Sequence, residues 1–237
     1  MQRYFVNKIE KDKFTLSSDD SYHVSIVMRM KIDDNIEIVY ENEVYLTKII
    51  KFNPVVCQVI KKLDNYNELT VKITICQSLV NNDKMHLILE KCTELGAYSF
   101  IPLNVTNSKI KLNKKDELKK IEHYEKIIMG AARQSKRNIV PKIYNIMSIN
   151  ELIKLEFDLK IICTVNEMSR SLKNVLQNHK NYATMIIVIG PEGGFTKDEE
   201  TTLINHGFIS TSLGNLVLRT ETASIVSLSM TNYEFER

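Results

Sequence analysis

An α/β domain on a mainly parallel sheet, preceded by a small β-barrel, is the architecture this sequence predicts. Three observations carry it. The first sixty or so residues hold only short strands and tight turns. From Leu69 onward strands alternate with helices. The apolar run Ile186-Ile187-Val188-Ile189 then opens directly into Gly190-Pro191-Glu192-Gly193-Gly194. Alternation of this kind builds a parallel layer, and such sheets bind ligands in loops at the carboxyl ends of their strands.

The barrel strands are expected at residues 35–40, 44–50 and 55–60, which alternate or run β-branched between the breaks Glu41-Asn42-Glu43 and Asn53-Pro54. The polar segment 64–68 marks a boundary and gives two domains, 1–67 and 68–237. A strand follows at 69–79. Residues 84–95 put Met85, Ile88, Leu89, Cys92 and Leu95 on one helical face, stopped by Gly96. Next come a strand at 98–103, a long helix over about 115–136, and strands at 159–165, 184–189 and 209–213. The final helix opens near Arg219 and carries an apolar run to Tyr233.

Two motifs carry the chemistry. The loop 190–194 holds three of the chain's seven glycines, so backbone can approach a ligand closely there. Thr196-Lys197-Asp198-Glu199 has the spacing of a capping box, which makes the loop a strand-to-helix connection. Alone, Gly-Pro and Gly-Gly also fit an ordinary tight turn. The second motif, Leu213 to Ala223, presents Arg219, Thr220, Glu221 and Thr222 at the start of the final helix. Packing explains such a cluster poorly, because buried charges need partners. The plain alternative is a structural ion pair of Arg219 with Glu221 or Glu192.

Composition sets bounds on function. The 237 residues are 43% hydrophobic and 26% charged, as in an ordinary soluble globular protein able to bury a good core. No run of eighteen apolar residues suggests a membrane span, and the first residues lack a secretory signal, so the cytoplasm is the expected compartment. Cys57, Cys76, Cys92 and Cys163 show no CxxC spacing and no His pair stands near them; reduced thiols and no metal are expected. Net charge is +3, yet residues 109–137 alone hold ten Lys or Arg against four acidic residues. That run suits RNA phosphates, and it equally fits a solvated helix face. Residues 1–64 are balanced, ten basic against ten acidic.

The two motifs together resemble the SPOUT class of methyltransferases, and within it the ribosomal RNA small subunit methyltransferase E family, which methylates N3 of a uridine in 16S rRNA using S-adenosylmethionine. The resemblance spans nearly the whole chain. It includes Arg3-Tyr4-Phe5-Val6, then His23 with Val27, Arg29 and Met30, Lys84-Met85, Glu90 through Gly96, Ile101-Pro102-Leu103, and Ala131 through Arg137 followed by Pro141. Arg133 stands where the family pattern has an acidic residue.

The resemblance implies a PUA-like RNA-binding barrel followed by a SPOUT domain whose C-terminal segment forms a deep trefoil knot, where sequence rules alone give an unknotted sheet. It implies a homodimer through the knot and S-adenosylmethionine as cofactor. Cofactor-binding candidates are Ile189, Gly190, Pro191, Glu192, Gly193, Gly194, Leu213, Gly214, Leu218 and Thr222, with Leu213 and Leu218 packing the base. Arg219 is the leading catalytic candidate, to stabilise the uridine anion or to neutralise the cofactor carboxylate, and Glu221 is a base or orienter. For RNA the candidates are Arg3, His23, Arg29, Gln134 and Arg137, the target base leaving its stack. A lone histidine is more commonly structural, and Arg29 also fits as aliphatic cover for the barrel. Two other readings stay open: a SPOUT enzyme acting on a ribose hydroxyl or on tRNA, and a catalytically silent RNA-binding assembly factor. A nucleotide-phosphate binder is disfavoured, since the loop lacks a Lys-Ser/Thr ending.

Overall fold

The computed structural model describes residues 1–108, 110, 114–179 and 182–235, without the side chains of residues 114 and 115. Lys109 and Lys111 of the basic run lie outside the described residues, as do the side chains of Lys114 and Lys115. The chain divides into two compact units. One comprises residues 1–68 with 132–139, and the other 69–131 with 140–237.

In the first unit, β1 (Arg3–Phe5), β2 (Ile9–Glu10), β3 (Lys13–Thr15), β4 (Asn35–Tyr40), β5 (Glu43–Lys51) and β6 (Val56–Leu63) form one sheet in the order β1-β4-β5-β6-β3-β2. Only the β1–β4 pair is parallel. Glu41 and Asn42, both at positive φ, make the two-residue hairpin that joins β4 to β5. Two register shifts bend β5 against β6 and curl the sheet. Its concave side is filled by Tyr4, Phe14, Ile36, Ile38, Ile49 and Cys57. Between β3 and β4 the chain forms α1 (Ser18–Tyr22) and then a π-helical turn, His23–Val27.

Residues 132–139, expected with the second domain, belong to this first unit because buried polar groups bind them there. Arg137, buried, donates from Nε and Nη2 to the carboxylate of Glu68, which also accepts from the backbone amides of Asn138 and Ile139. Asn138 donates to the carbonyls of Asn42 and Asn65. Breaking one such bond strands buried donors and acceptors, at a cost of about 1–3 kcal/mol each.

The second unit is an α/β layer. Its strands are β7 (Lys72–Ser78), β8 (Ser99–Asn104), β9 (Lys142–Ile143), β10 (Met147–Ser148), β11 (Leu159–Cys163), β12 (Thr184–Ile189) and β13 (Ile209–Thr211). They pair in the order β10-β8-β7-β12-β11-β13, with β9 also on β8, and every pairing is parallel. Both faces of the sheet are covered, so β12 is apolar from Met185 to Ile189 rather than alternating. Met185, Ile187 and Ile189 join a core with α2 (Asn82–Glu94), α5 (Leu172–Asn178) and α7 (Thr220–Phe235). Ile186 and Val188 join a second core with Leu152 of α4 (Ile149–Leu152) and Leu203 of α6 (Lys197–Asn205). The long α3 (Lys114–Gln134) carries Tyr124 and Ile128 into the first of these cores.

Local chemistry sets the helix ends. Asn81 caps α2 by accepting from the Lys84 amide, and Gly96 at φ +97° closes it. Ala97 N–H reaches the Cys92 carbonyl and Gly96 N–H that of Thr93, the paired bonds of a Schellman ending. The capping box expected at Thr196 and Glu199 is present in both directions. Among the described residues no helix is long and apolar enough to cross a membrane.

Candidate active site

Parallel pairing aligns the carboxyl ends of four strands. Gln77 of β7 and Cys163 of β11 both stand opposite Ile189, and Cys163 stands opposite Thr211. The residues that follow, Ser78, Thr164, Gly190 and Ser212, therefore form one rim, with the glycine loop at its middle.

Hydrogen bonds join the two motifs at that rim. Thr220 Oγ1 donates to the Gly190 carbonyl at 2.6 Å and accepts from Gln77 Nε2 at 2.9 Å. Ser224 Oγ donates to Gln77 Oε1. All three side chains are buried, so the network is shielded from competing water. Behind the loop, Asn107 Nδ2 donates to the carbonyls of Gly193 and Gly194, at 3.2 and 3.0 Å. A Cβ at Gly193 would lie 3.3 Å from Asn107 Cβ, so glycine is what allows this approach. Burial raises the carboxyl of Glu199, but bonds from the Thr106 and Thr196 amides and hydroxyls overcome that and hold it below its ordinary range.

The rim encloses a cavity of about 530 Å³ lined by Gly190 to Phe195, Thr164, Glu200, Val217, Leu218 and Arg219. An adjoining cavity of about 390 Å³ is lined by Leu213, Gly214, Leu216, Val217, Leu218 and Met168. The first suits a polar group beside backbone amides; the second suits an apolar ring. Gly194 sits at φ +67°, and a Cβ at Gly190 would come within 3.1 Å of the Phe195 ring. Gly190, Gly193 and Gly194 thus leave backbone open to a ligand on either side of Pro191 and Glu192.

Of the expected cofactor residues, Gly190, Pro191, Glu192, Gly193, Gly194 and Leu218 line the first cavity. Leu213, Gly214 and again Leu218 line the second. Ile189 is buried in the core beneath, and Thr222 lines neither. Arg219 is exposed at the cavity, and its guanidinium makes no hydrogen bond or ion pair with a described residue.

The ion pair weighed for Arg219 is made by Lys84 instead. Lys84 Nζ lies 2.7 Å from Glu192 Oε1 and 3.5 Å from Glu221 Oε2, so one ammonium links both motifs. Its bond to Glu192 holds that ammonium above its ordinary range. Lys84, near the start of α2, lines the same cavity as Glu192, whereas Arg219, just before the first turn of α7, lines it exposed and unpaired. Lys84 was visible in sequence as part of a motif, but its partners were not. Thr220 stands out in the second motif without a role, whereas Gln77, Asn107 and Glu200 carry no sequence signal as site residues.

All five RNA candidates fall in the first unit. Two of them face inward. Arg3, 1% exposed, donates to Glu37 and to the carbonyls of Lys136 and Arg137, and Arg137 is held by Glu68. Both therefore shape the unit rather than present charge to a ligand, since the carbonyls at 136 and 137 need a buried donor. His23 is half-buried, its Nδ1 2.9 Å from the Tyr4 hydroxyl. Arg29 and Gln134 are exposed. Arg133, in the position read as normally acidic, pairs with buried Asp20 and lies 5.5 Å over the Tyr4 ring. The carboxylate of that corner comes from α1.

Comparison with known proteins places this geometry. Residues 67–232 match the model of the RNA methyltransferase domain. The chain is 33% identical to the ribosomal RNA small subunit methyltransferase E of Bacillus subtilis (strain 168), over 100% of this chain and 98% of that one. It is 31% identical to the protein of that name from Mesomycoplasma hyopneumoniae (strain 232), covering 97% and 98% of the two chains. A protein of Legionella pneumophila, solved in complex with the bound cofactor SAM, superposes with a TM-score of 0.88 at 26% identity, over 98% of this chain and 96% of that one. A cradle built from two motifs on a parallel sheet, matched along the full chain, is accounted for by common descent: the chain belongs to the ribosomal RNA small subunit methyltransferase E family.

Proposed function

We propose that this chain transfers the methyl group of S-adenosylmethionine to N3 of a uridine in 16S rRNA, in the cytoplasm. The observation that carries the reading is the glycine-rich loop 190–194, bonded through Thr220 to the second motif and opening on two adjoining cavities. Their combined shape suits an adenosyl group: Leu213 and Leu218 flank an apolar slot for the base, and the glycine loop offers backbone groups to the rest. When bound, S-adenosylmethionine supplies an electrophilic methyl group on a sulfonium.

The chain's own residues do the remaining work. Removal of the N3 proton leaves negative charge on the uracil ring, and the unpaired guanidinium of Arg219 offsets it where it develops. Glu221, oriented by Lys84, accepts or steers that proton. Arg29, Gln134 and His23 form the RNA-facing part of the first unit, which we read as a PUA-like barrel spanning residues 1–67. Arg3 and Arg137 hold its shape. The segment between β13 and α7 is read as the threaded part of a trefoil knot in the SPOUT domain, residues 68–237.

A homodimer fits the surface of this region. α7 buries Ser224, Ser227 and Thr231, whose hydroxyls bond within the helix or to Gln77, and it turns Met230 and Tyr233 outward, the latter 80% exposed. Leu216 and Val217 are more than 80% exposed nearby in sequence. The inner face also carries Leu228 into the core, so the exposed Met230, Tyr233, Leu216 and Val217 are apolar side chains beyond what the fold itself buries, and they suit a second copy.

Ribosomal small subunits incubated with the chain and labelled S-adenosylmethionine, then digested to nucleosides, test the reading. Label on uridine N3 is expected. Label on a ribose oxygen supports the ribose-methylating alternative, and no label with intact RNA binding supports the assembly factor.

A further inference from the structure

Four charged side chains line the larger cavity: Lys84, Glu192, Glu200 and Arg219. Lys84 and Glu192 neutralise each other at 2.7 Å. That leaves one cation, Arg219, and one anion, Glu200, each without a hydrogen bond or ion pair to any described residue. Glu200 is half-buried in α6, one residue past the capping box, and burial holds its carboxyl above the ordinary range. The protein thus places a partly desolvated carboxylate in a cavity without a cation paired to it among the described residues: Arg219 lines the same cavity but makes no ion pair with Glu200, and Lys84 is already committed to Glu192 and Glu221. A carboxylate left so is completed by a cationic ligand group.

We propose that Glu200 is the residue that binds the α-ammonium group of the methionine end of S-adenosylmethionine, and so selects ligands that carry an amino-acid tail. The inference rests on the methyltransferase reading above. The adjoining apolar slot takes the base, which directs the tail toward the polar cavity where Glu200 stands. The sulfonium is the other cation of this ligand, but it has no N–H to donate. An ammonium gives the carboxylate a charge-assisted hydrogen bond as well as opposite charge.

Three ligands separate the possibilities by calorimetry on the full chain. S-adenosylmethionine carries both cations, S-adenosylhomocysteine keeps only the ammonium, and 5′-methylthioadenosine has neither. Glu200→Gln keeps the side chain's shape, and thermal melting without ligand checks its fold. The expected result is a loss of about ten- to a hundredfold in affinity for the first two ligands with little change for the third. Loss confined to S-adenosylmethionine overturns the assignment in favour of a sulfonium contact. Equal loss for all three, or no loss, overturns it in favour of a structural or solvated residue. If the unsubstituted chain binds none of the three, the methyltransferase reading fails first and takes this inference with it.

Discussion

Thr220 gives its hydroxyl hydrogen to the carbonyl of Gly190 across 2.6 Å, a bond between residues thirty apart in the chain that ties the start of α7 to the end of β12. The same oxygen accepts from Gln77, whose Nε2 also donates to the Ser78 carbonyl. Thr220→Val keeps the shape and deletes both bonds. It should cost about 1–3 kcal/mol in urea unfolding and weaken S-adenosylmethionine binding by about tenfold. Unchanged affinity with lowered stability would show that the bond serves the fold alone.

Arg219→Ala removes a side chain that supports nothing around it. Its melting temperature should match the parent, and most cofactor binding should remain, while methyl transfer in single-turnover assays is abolished. Near-normal turnover would remove Arg219 from the chemistry.

Acid should act on the loop through Glu199. Its carboxyl is held below the ordinary value of 4.5 by bonds from Thr106 and Thr196 that exceed the effect of burial. A depressed folded-state pKa stabilises above the unfolded value and is lost as pH falls through the folded one. Stability should therefore decline below about pH 4.5, and Glu199→Gln should flatten that part of the profile in chemical denaturation at stepped pH.

Two helix glycines should respond in opposite directions. Gly96 is at φ +97°, and a Cβ there meets Leu69 Cδ1 at 2.8 Å. Gly96→Ala should destabilise by at least about 1–2 kcal/mol. Gly130 lies inside α3, is exposed, and a Cβ there meets nothing within 4 Å. Gly130→Ala should stabilise by about 0.5–1 kcal/mol. Both are read from denaturation midpoints.

Tyr233→Asp tests the outward face of α7. Tyr233 is 80% exposed, so a monomer should tolerate the change. Light scattering should show a dimer for the parent and a monomer for the variant. A parent that stays monomeric at high concentration would set the dimer aside.

The strands at 35–40 and 184–189 were legible to the residue, because each is bounded by turn-forming residues and reads uniformly as β. The helix ending at Gly96 and the capping box at Thr196 were legible for the same local reason. Long-range pairing was not. Nothing local distinguishes Arg137, buried against Glu68, from Lys119 or Lys126 in the same basic run, although the structure spends it inside. The apolar run expected in the final helix buries Ser224, Ser227 and Thr231 beside Leu228, since small hydroxyls can satisfy themselves on their own helix. The role of Lys84 is invisible locally, because it depends on two carboxylates more than a hundred residues away.

The strand order has a consequence for how the chain is made. β12 sits between β7 and β11, yet β7 spans residues 72–78 and β12 spans 184–189. During synthesis one edge of β7 must wait for more than a hundred residues before its neighbour emerges. The central strand, with the glycine loop at its tip, is thus among the last parts of the sheet to arrive. A nascent chain carries an open, apolar sheet edge for seconds, so chaperone dependence should fall on this interval, and the ligand cradle comes into being only as the translation of the domain nears completion.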